Sequence, residues 1–154
     1  RQPCPKNNFL SQNTVKANLW GIEVNSGPYN TTILENNIIN NHRLGILVVH
    51  AYKTQIIRNN FIHNTENAYF YNIRFPQFVI MKNSWENNYW GEPKKLPTVI
   101  HGSYYSLLSL FIALPWIALD WHPAQEPYDI PGMTGKNSEI VGFYRSNYYP
   151  LFRI

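Results

Sequence analysis

The sequence holds a single cysteine, Cys4, in 154 residues, so no internal disulfide can staple it and no CxxC pair is present for zinc or redox chemistry. Charge is scarce as well. Only 14% of residues are charged, the net charge is +4, and the one adjacent basic pair is Lys94-Lys95. Nucleic-acid binding needs basic residues gathered in a stripe, and none is visible. No apolar run is long enough for a transmembrane segment. The richest, residues 107–119, falls short of the roughly 18–20 residues that a spanning helix needs, and Pro115 interrupts it. The opening Arg1-Gln2-Pro3-Cys4-Pro5 has neither an initiator methionine nor the apolar core of a secretory leader. It reads as an internal piece of a longer chain.

What the sequence has is repetition. Thr32-Ile33-Leu34-Glu35-Asn36-Asn37-Ile38-Ile39-Asn40-Asn41 returns as Gln55-Ile56-Ile57-Arg58-Asn59-Asn60-Phe61-Ile62-His63-Asn64 and again as Val79-Ile80-Met81-Lys82-Asn83-Ser84-Trp85-Glu86-Asn87-Asn88. A second pattern keeps the same beat at Leu19 to Val24, Arg43 to Val48 and Asn67 to Asn72. A period of about 23 residues is the mark of a solenoid. Helix does not fit: the apolar residues come in short runs beside asparagine pairs, which disfavour helix interiors. Asparagine tolerates the left-handed conformation that turns a strand, and its amide satisfies nearby backbone groups. Asn36, Asn59 and Asn83 are therefore expected at equivalent corners, with Ile33, Ile56 and Ile80 stacked in adjacent coils. The fold class is all-β, a parallel β-helix over residues 1–91 with two or three short strands per coil. Asn7-Asn8-Phe9-Leu10 mimics Asn59-Asn60-Phe61-Ile62 and reads as the tail of a preceding coil.

Past Gly91 the asparagines thin out and prolines appear at 93, 97, 115, 123, 127 and 131. Residues 92–131 read as an irregular, proline-rich C-terminal cap, with residues 107–119 covering the last coil and Trp116 and Trp121 packed against it. Residues 132–154 form an aromatic-rich tail that includes Phe143, Tyr144, Tyr148, Tyr149 and Phe152.

The stretch Asn83-Ser84-Trp85-Glu86-Asn87-Asn88-Tyr89-Trp90-Gly91, with Pro115-Trp116 and Asp120-Trp121-His122-Pro123-Ala124-Gln125-Glu126-Pro127-Tyr128-Asp129-Ile130, resembles the C-terminal end of NosD-like proteins. These are right-handed, single-stranded parallel β-helices of the pectin-lyase-like type, whose repeats also occur in carbohydrate-binding and sugar-hydrolase modules and in archaeal surface proteins. The likeness covers residues 7–130 and implies an extracellular or cell-surface location. Its functional range is wide, since such coils serve lyases, adhesins and copper-site accessory proteins.

A lyase on such coils needs carboxylates clustered for calcium and a basic residue beside them. The repeats offer only Glu23, Glu35, Glu66 and Glu86, and Glu35 is followed in its column by Arg58 and Lys82. Asp120, Glu126 and Asp129 read as solvated turn residues instead of paired acids. No enzyme is expected. Copper would call for clustered His, Met or Cys, and His63 falls in line with Asn40 and Asn87, as an exposed turn residue would. No metal and no cofactor are expected. Sugar contact is the most specific reading, because rings stack on exposed aromatics while amides bind hydroxyls. Tyr69, Tyr71, Tyr89 and Trp90 are the candidates, for a polysaccharide or glycan partner. A structural or adhesion stalk, with self-association or preceding coils as its partner, is the rival reading.

Overall fold

A computed structural model describes residues 6–25, 27–74, 83–106 and 113–132. The expected stack at Ile80, the cap residues 107–112, Cys4, Lys82 and the aromatic tail lie outside the described residues.

The repeating unit is three short strands separated by sharp corners. The first tier holds β1 (Phe9–Ser11), β2 (Thr14–Lys16) and β3 (Trp20–Val24), and the second holds β4 (Thr32–Leu34), β5 (Asn37–Ile39) and β6 (Leu44–Val49). The third comprises β7 (Gln55–Ile57), β8 (Asn60–Ile62) and β9 (Glu66–Arg74), and β10 (Ser84–Glu86) and β11 (Thr98–Ser106) belong to the fourth. β1, β4, β7 and β10 pair in parallel, β2, β5 and β8 make a second parallel ladder, and β3, β6, β9 and β11 a third. Finally β12 (Ala113–Asp120) runs antiparallel to β11 and meets β10 at Trp85↔Asp120, joining the first and third ladders into one curled nine-stranded sheet. The chain is thus all-β and mostly parallel, an arrangement compatible with a β-helix. Parallel pairing continues past Gly91 into β11.

Two of the corners in the repeating unit are built by two residues in succession. The first takes a positive φ: Gln12, Glu35, Arg58 and Asn87 at one corner, and Ala17, Asn40 and His63 at the next. The second is asparagine, whose amide bonds along the stack. Asn13 and Asn36 donate both backbone N–H and side-chain N–H to the Oδ1 of the asparagine one tier on, 23 residues later. Asn59 does the same to Asn88, 29 residues on. Asn88, not Asn83, is therefore the third expected corner, and Trp85 takes the place assigned to Ile80 by stacking on Ile56. The longer step follows from the residues inserted between β9 and β10, which shift the frame that a regular repeat would impose. Asn83 bonds at another corner, accepting from the Thr54 N–H and donating to the Ala51 carbonyl. In the second pattern, Leu44 pairs with Glu66 and Ile46 with Ala68, two residues away from the expected alignment. A shift of two keeps each side chain on its face.

Inside the tiers, Ile22, Ile33, Ile38, Ile46, Val48, Ile56, Phe61, Phe70, Trp85 and Ile100 form one apolar core. Trp90 closes it, its ring parallel to Phe61 at 4.6 Å. Trp116 stands edge-on to Tyr104 of β11 at 5.6 Å while 48% exposed, whereas Trp121 is 64% exposed and does not pack on the last coil as expected. Among the described residues, Asp120 and the segment after it also finish that end. Residues 121–132 turn back across the tiers over the outer face of β8, β5 and β2. Ala124 donates to the Asn88 carbonyl, Tyr128 and Asn60 exchange hydrogen bonds at 2.8 Å each way, and Asn37 and Thr14 donate to the carbonyl of Pro131. Asn37 and Asn60 point away from the core yet are fully buried under this strap.

Candidate functional site

Strand alternation decides which side chains reach the surface of the third ladder. On β6, Ile46 and Val48 point into the core, as do Ala68 and Phe70 on β9 and Ile100 on β11. Their neighbours point outward. The registers Leu47↔Tyr69↔His101 and Val49↔Tyr71↔Ser103 then set two outward columns side by side. Tyr69 and Tyr71 are about 6.8 Å apart along β9, both half-buried. The Tyr69 hydroxyl donates to Ser103 Oγ at 3.3 Å. Gly102, between His101 and Ser103, faces the core, where a Cβ would come within 2.5 Å of the Phe70 ring.

His50 completes this face at the end of β6. Its backbone, at φ 49°, donates to the Tyr71 carbonyl at 2.9 Å, and its ring lies 4.9 Å from that of Tyr71. Nδ1 is buried and has no hydrogen-bond partner among the described residues. Burial holds the imidazole pKa below its ordinary value, because the charged form would lose its water. At the other end of the face, a shallow cleft between the starts of β9 and β11 is lined by Glu66, Asn67, Lys94, Val99 and His101. An aromatic strip is thus bordered by a carboxylate, an amide, an ammonium and two imidazoles, with Ser103 and Leu47 of the same columns buried at 8% exposure each. This arrangement can bind a polar ligand that also offers an apolar face.

Of the four aromatic candidates, the structure brings together Tyr69 and Tyr71 only. Trp90 is 6% exposed and its indole N–H donates to Asp120 at 3.1 Å, so its ring belongs to the core. Tyr89 lies on the β8 ladder, its carbonyl accepting from the Phe61 N–H, away from the tyrosine strip. His50, His101 and Ser103 were not among the expected residues. Nothing local marks them, since their position depends on pairing between strands far apart in sequence.

The acids and histidines stay dispersed. Glu35 pairs with Arg58 at 3.3 Å, and Glu23 accepts from Asn25 at 2.7 Å. Asp120 is not a solvated turn residue. It is fully buried and accepts from the backbone of Asn87, Asn88 and His122 and from the side chains of Asn88 and Trp90. His63 stands in line with Asn40, as expected, but Asn87 belongs to the corner column of Arg58. His42 and His63 are exposed, apart from His50. Among the described residues no three His, Cys, Asp or Glu side chains converge where they could hold a metal ion. The donor set required of a copper site is not met by these residues.

A family model described as periplasmic copper-binding protein (NosD) matches residues 5–107. No curated protein and no solved structure matches the chain. The match takes in the asparagine corners, all three parallel ladders and the tyrosine face, and on that extent the chain belongs to the NosD family.

Proposed function

We propose that this chain is a non-catalytic, right-handed parallel β-helix module that works outside the cytoplasm and uses the outer face of β6, β9 and β11 to bind carbohydrate. The observation that carries this reading is the placement of Tyr69 and Tyr71 in adjoining outward columns beside Ser103, His101 and the Glu66–Lys94 cleft. Sugar rings present C–H faces to aromatic side chains and hydroxyls to amides, carboxylates and imidazoles, and this face offers both. Right-handedness follows the strong preference of parallel strands joined by crossovers within one sheet. The periplasmic description of the family supports an extracytoplasmic setting. The dispersal of the carboxylates supports binding without turnover. Copper handling, named in the family description, finds His50 Nδ1 as a bare donor but no second ligand beside it among the described residues.

The test is binding of the intact chain to an array of soluble oligosaccharides, followed by titration of each hit with Tyr69→Ala and Tyr71→Ala. The reading expects binding without product release, weakened about tenfold or more by either substitution while the fold is kept. Absence of any glycan signal, or binding indifferent to both substitutions, would overturn it.

A further inference from the structure

The outward row of β9 continues past the two tyrosines to Asn67, and that of β11 continues past His101 to Val99. At these row ends lies the shallow cleft, about 200 Å3 in volume, with Glu66 and Lys94 in its walls. It is smaller than pockets that enclose a drug-sized ligand, and it suits a single sugar ring. His101 borders the cleft and also pairs in register with Tyr69, so the cleft and the tyrosine strip are continuous. Val99 is 45% exposed and offers an apolar surface to the C–H face of a ring.

Charge decides what that ring carries. Lys94 is ion-paired with Glu92 and brings no net positive charge to the cleft. Lys95 lines a neighbouring hollow with Leu96 and Pro97 instead of this one. Arg43, just before β6, sets its guanidinium 5.3 Å over the Trp20 ring. Glu66 is exposed, and among the described residues its carboxylate has neither an ion-pair nor a hydrogen-bond partner. The cleft is therefore anionic, although the chain as a whole has a net charge of +4.

Resting on the carbohydrate reading of this face, we propose that the cleft is a subsite for an amino sugar. The sugar ammonium pairs with the Glu66 carboxylate, and the following units of the oligosaccharide lie along β9 over Tyr69 and Tyr71. From Glu66 to Tyr71 the strand spans about 17 Å, a length that calls for a linear oligosaccharide and not a lone monosaccharide. A protonated amine gives a carboxylate a charge-assisted hydrogen bond. An N-acetyl group cannot do so, and a uronate would meet a like charge. Because Glu66 is exposed, the preference for the amine is modest, about fivefold, and it falls with added salt.

The experiment is calorimetric titration of the intact chain, with the sugar amine protonated, against a glucosamine oligomer, its N-acetylated counterpart and a galacturonate oligomer of equal length. The expected order is glucosamine first, the N-acetylated oligomer about fivefold weaker and galacturonate last. Glu66→Gln should bring the first two to equal affinity, and Tyr69→Ala should weaken both. Glu86→Gln, on β10 and away from this face, should keep the original preference; circular dichroism verifies that each variant is folded. No binding of the glucosamine oligomer, equal binding of the two oligomers by the unaltered chain, a preference that survives Glu66→Gln, or tighter binding of galacturonate would overturn the amino-sugar subsite. The carbohydrate face is judged separately, by the response of any bound glycan to Tyr69→Ala. Binding indifferent to that substitution would overturn the face and the subsite with it.

Discussion

Asn59 shows how a corner is satisfied. Its amide N–H groups reach the carbonyls of Ile33 and Ile57 and Oδ1 of Asn88, while its own Oδ1 accepts from the backbone and side chain of Asn36. Every link passes donors toward the C-terminal end, so the last member must accept and, among the described residues, has no further amide to donate to. A carboxylate meets that requirement and an amide does not, which gives a physical reason for Asp120 at this position. Its buried charge is offset by five N–H groups at 2.8–3.3 Å. Asp120→Asn keeps the shape but turns an NH2 toward some of those donors. The expected loss is about 2–4 kcal/mol in urea unfolding; a loss under about 0.5 kcal/mol would refute the terminator role. The left-handed turn at these corners does not require asparagine, although Asn40 and Asn87 adopt it. Gln12, Ala17, Glu35, Arg58 and His63 do so too, and the amide that follows secures the turn.

At the scale of elements, the strands are too short to hold themselves. β4, β5, β7 and β8 have three residues each, and each is fixed by the tiers before and after it. The strap of residues 121–132 adds a tie perpendicular to that order. It contacts asparagines from successive tiers, places Tyr128 under the Arg58 guanidinium at 5.0 Å and buries Ile130 to 3% exposure. Burial also raises the Tyr128 pKa, with Arg58 opposing that shift. Ile130→Ala should cost about 2–4 kcal/mol, because the strap carbonyls that cover Asn37 and Asn60 are held in place by that side chain. Thermal unfolding with hydrogen exchange on β5 and β8 checks this. If stability falls by less than about 1 kcal/mol and exchange there is unchanged, the strap is an ornament on an independently stable stack.

For the molecule as a whole, His50 links stability to pH. Burial holds its folded pKa below the ordinary imidazole value of 6.5, so below that pH the unfolded chain takes up a proton that the folded one resists. The contribution is fully present above the unfolded pKa and is lost as pH falls toward the folded one. Melting temperature should therefore decline from neutral to weakly acidic pH, and His50→Gln should flatten that part of the curve. An identical slope in the variant would assign the decline to other groups.

The sequence by itself determined the parallel, all-β character, the 23-residue step seen at Asn36 to Asn59 and the asparagine corners, because backbone pairing between successive tiers repeats whatever local pattern the chain repeats. It also pointed to Tyr69 and Tyr71, since alternation along one strand is a local property. Only the tertiary structure decided that Asn88 and Trp85 continue the columns, because the residues inserted after β9 change the frame without leaving a signal in the repeat. The same holds for His101 and Ser103 beside the tyrosines, for Asp120 at the end of the amide chain, and for the strap, whose bonds to Asn60 and Thr14 span 68 and 117 residues. Such partners are chosen by where the stack ends and which of its faces remains uncovered, and no short window of sequence contains either fact.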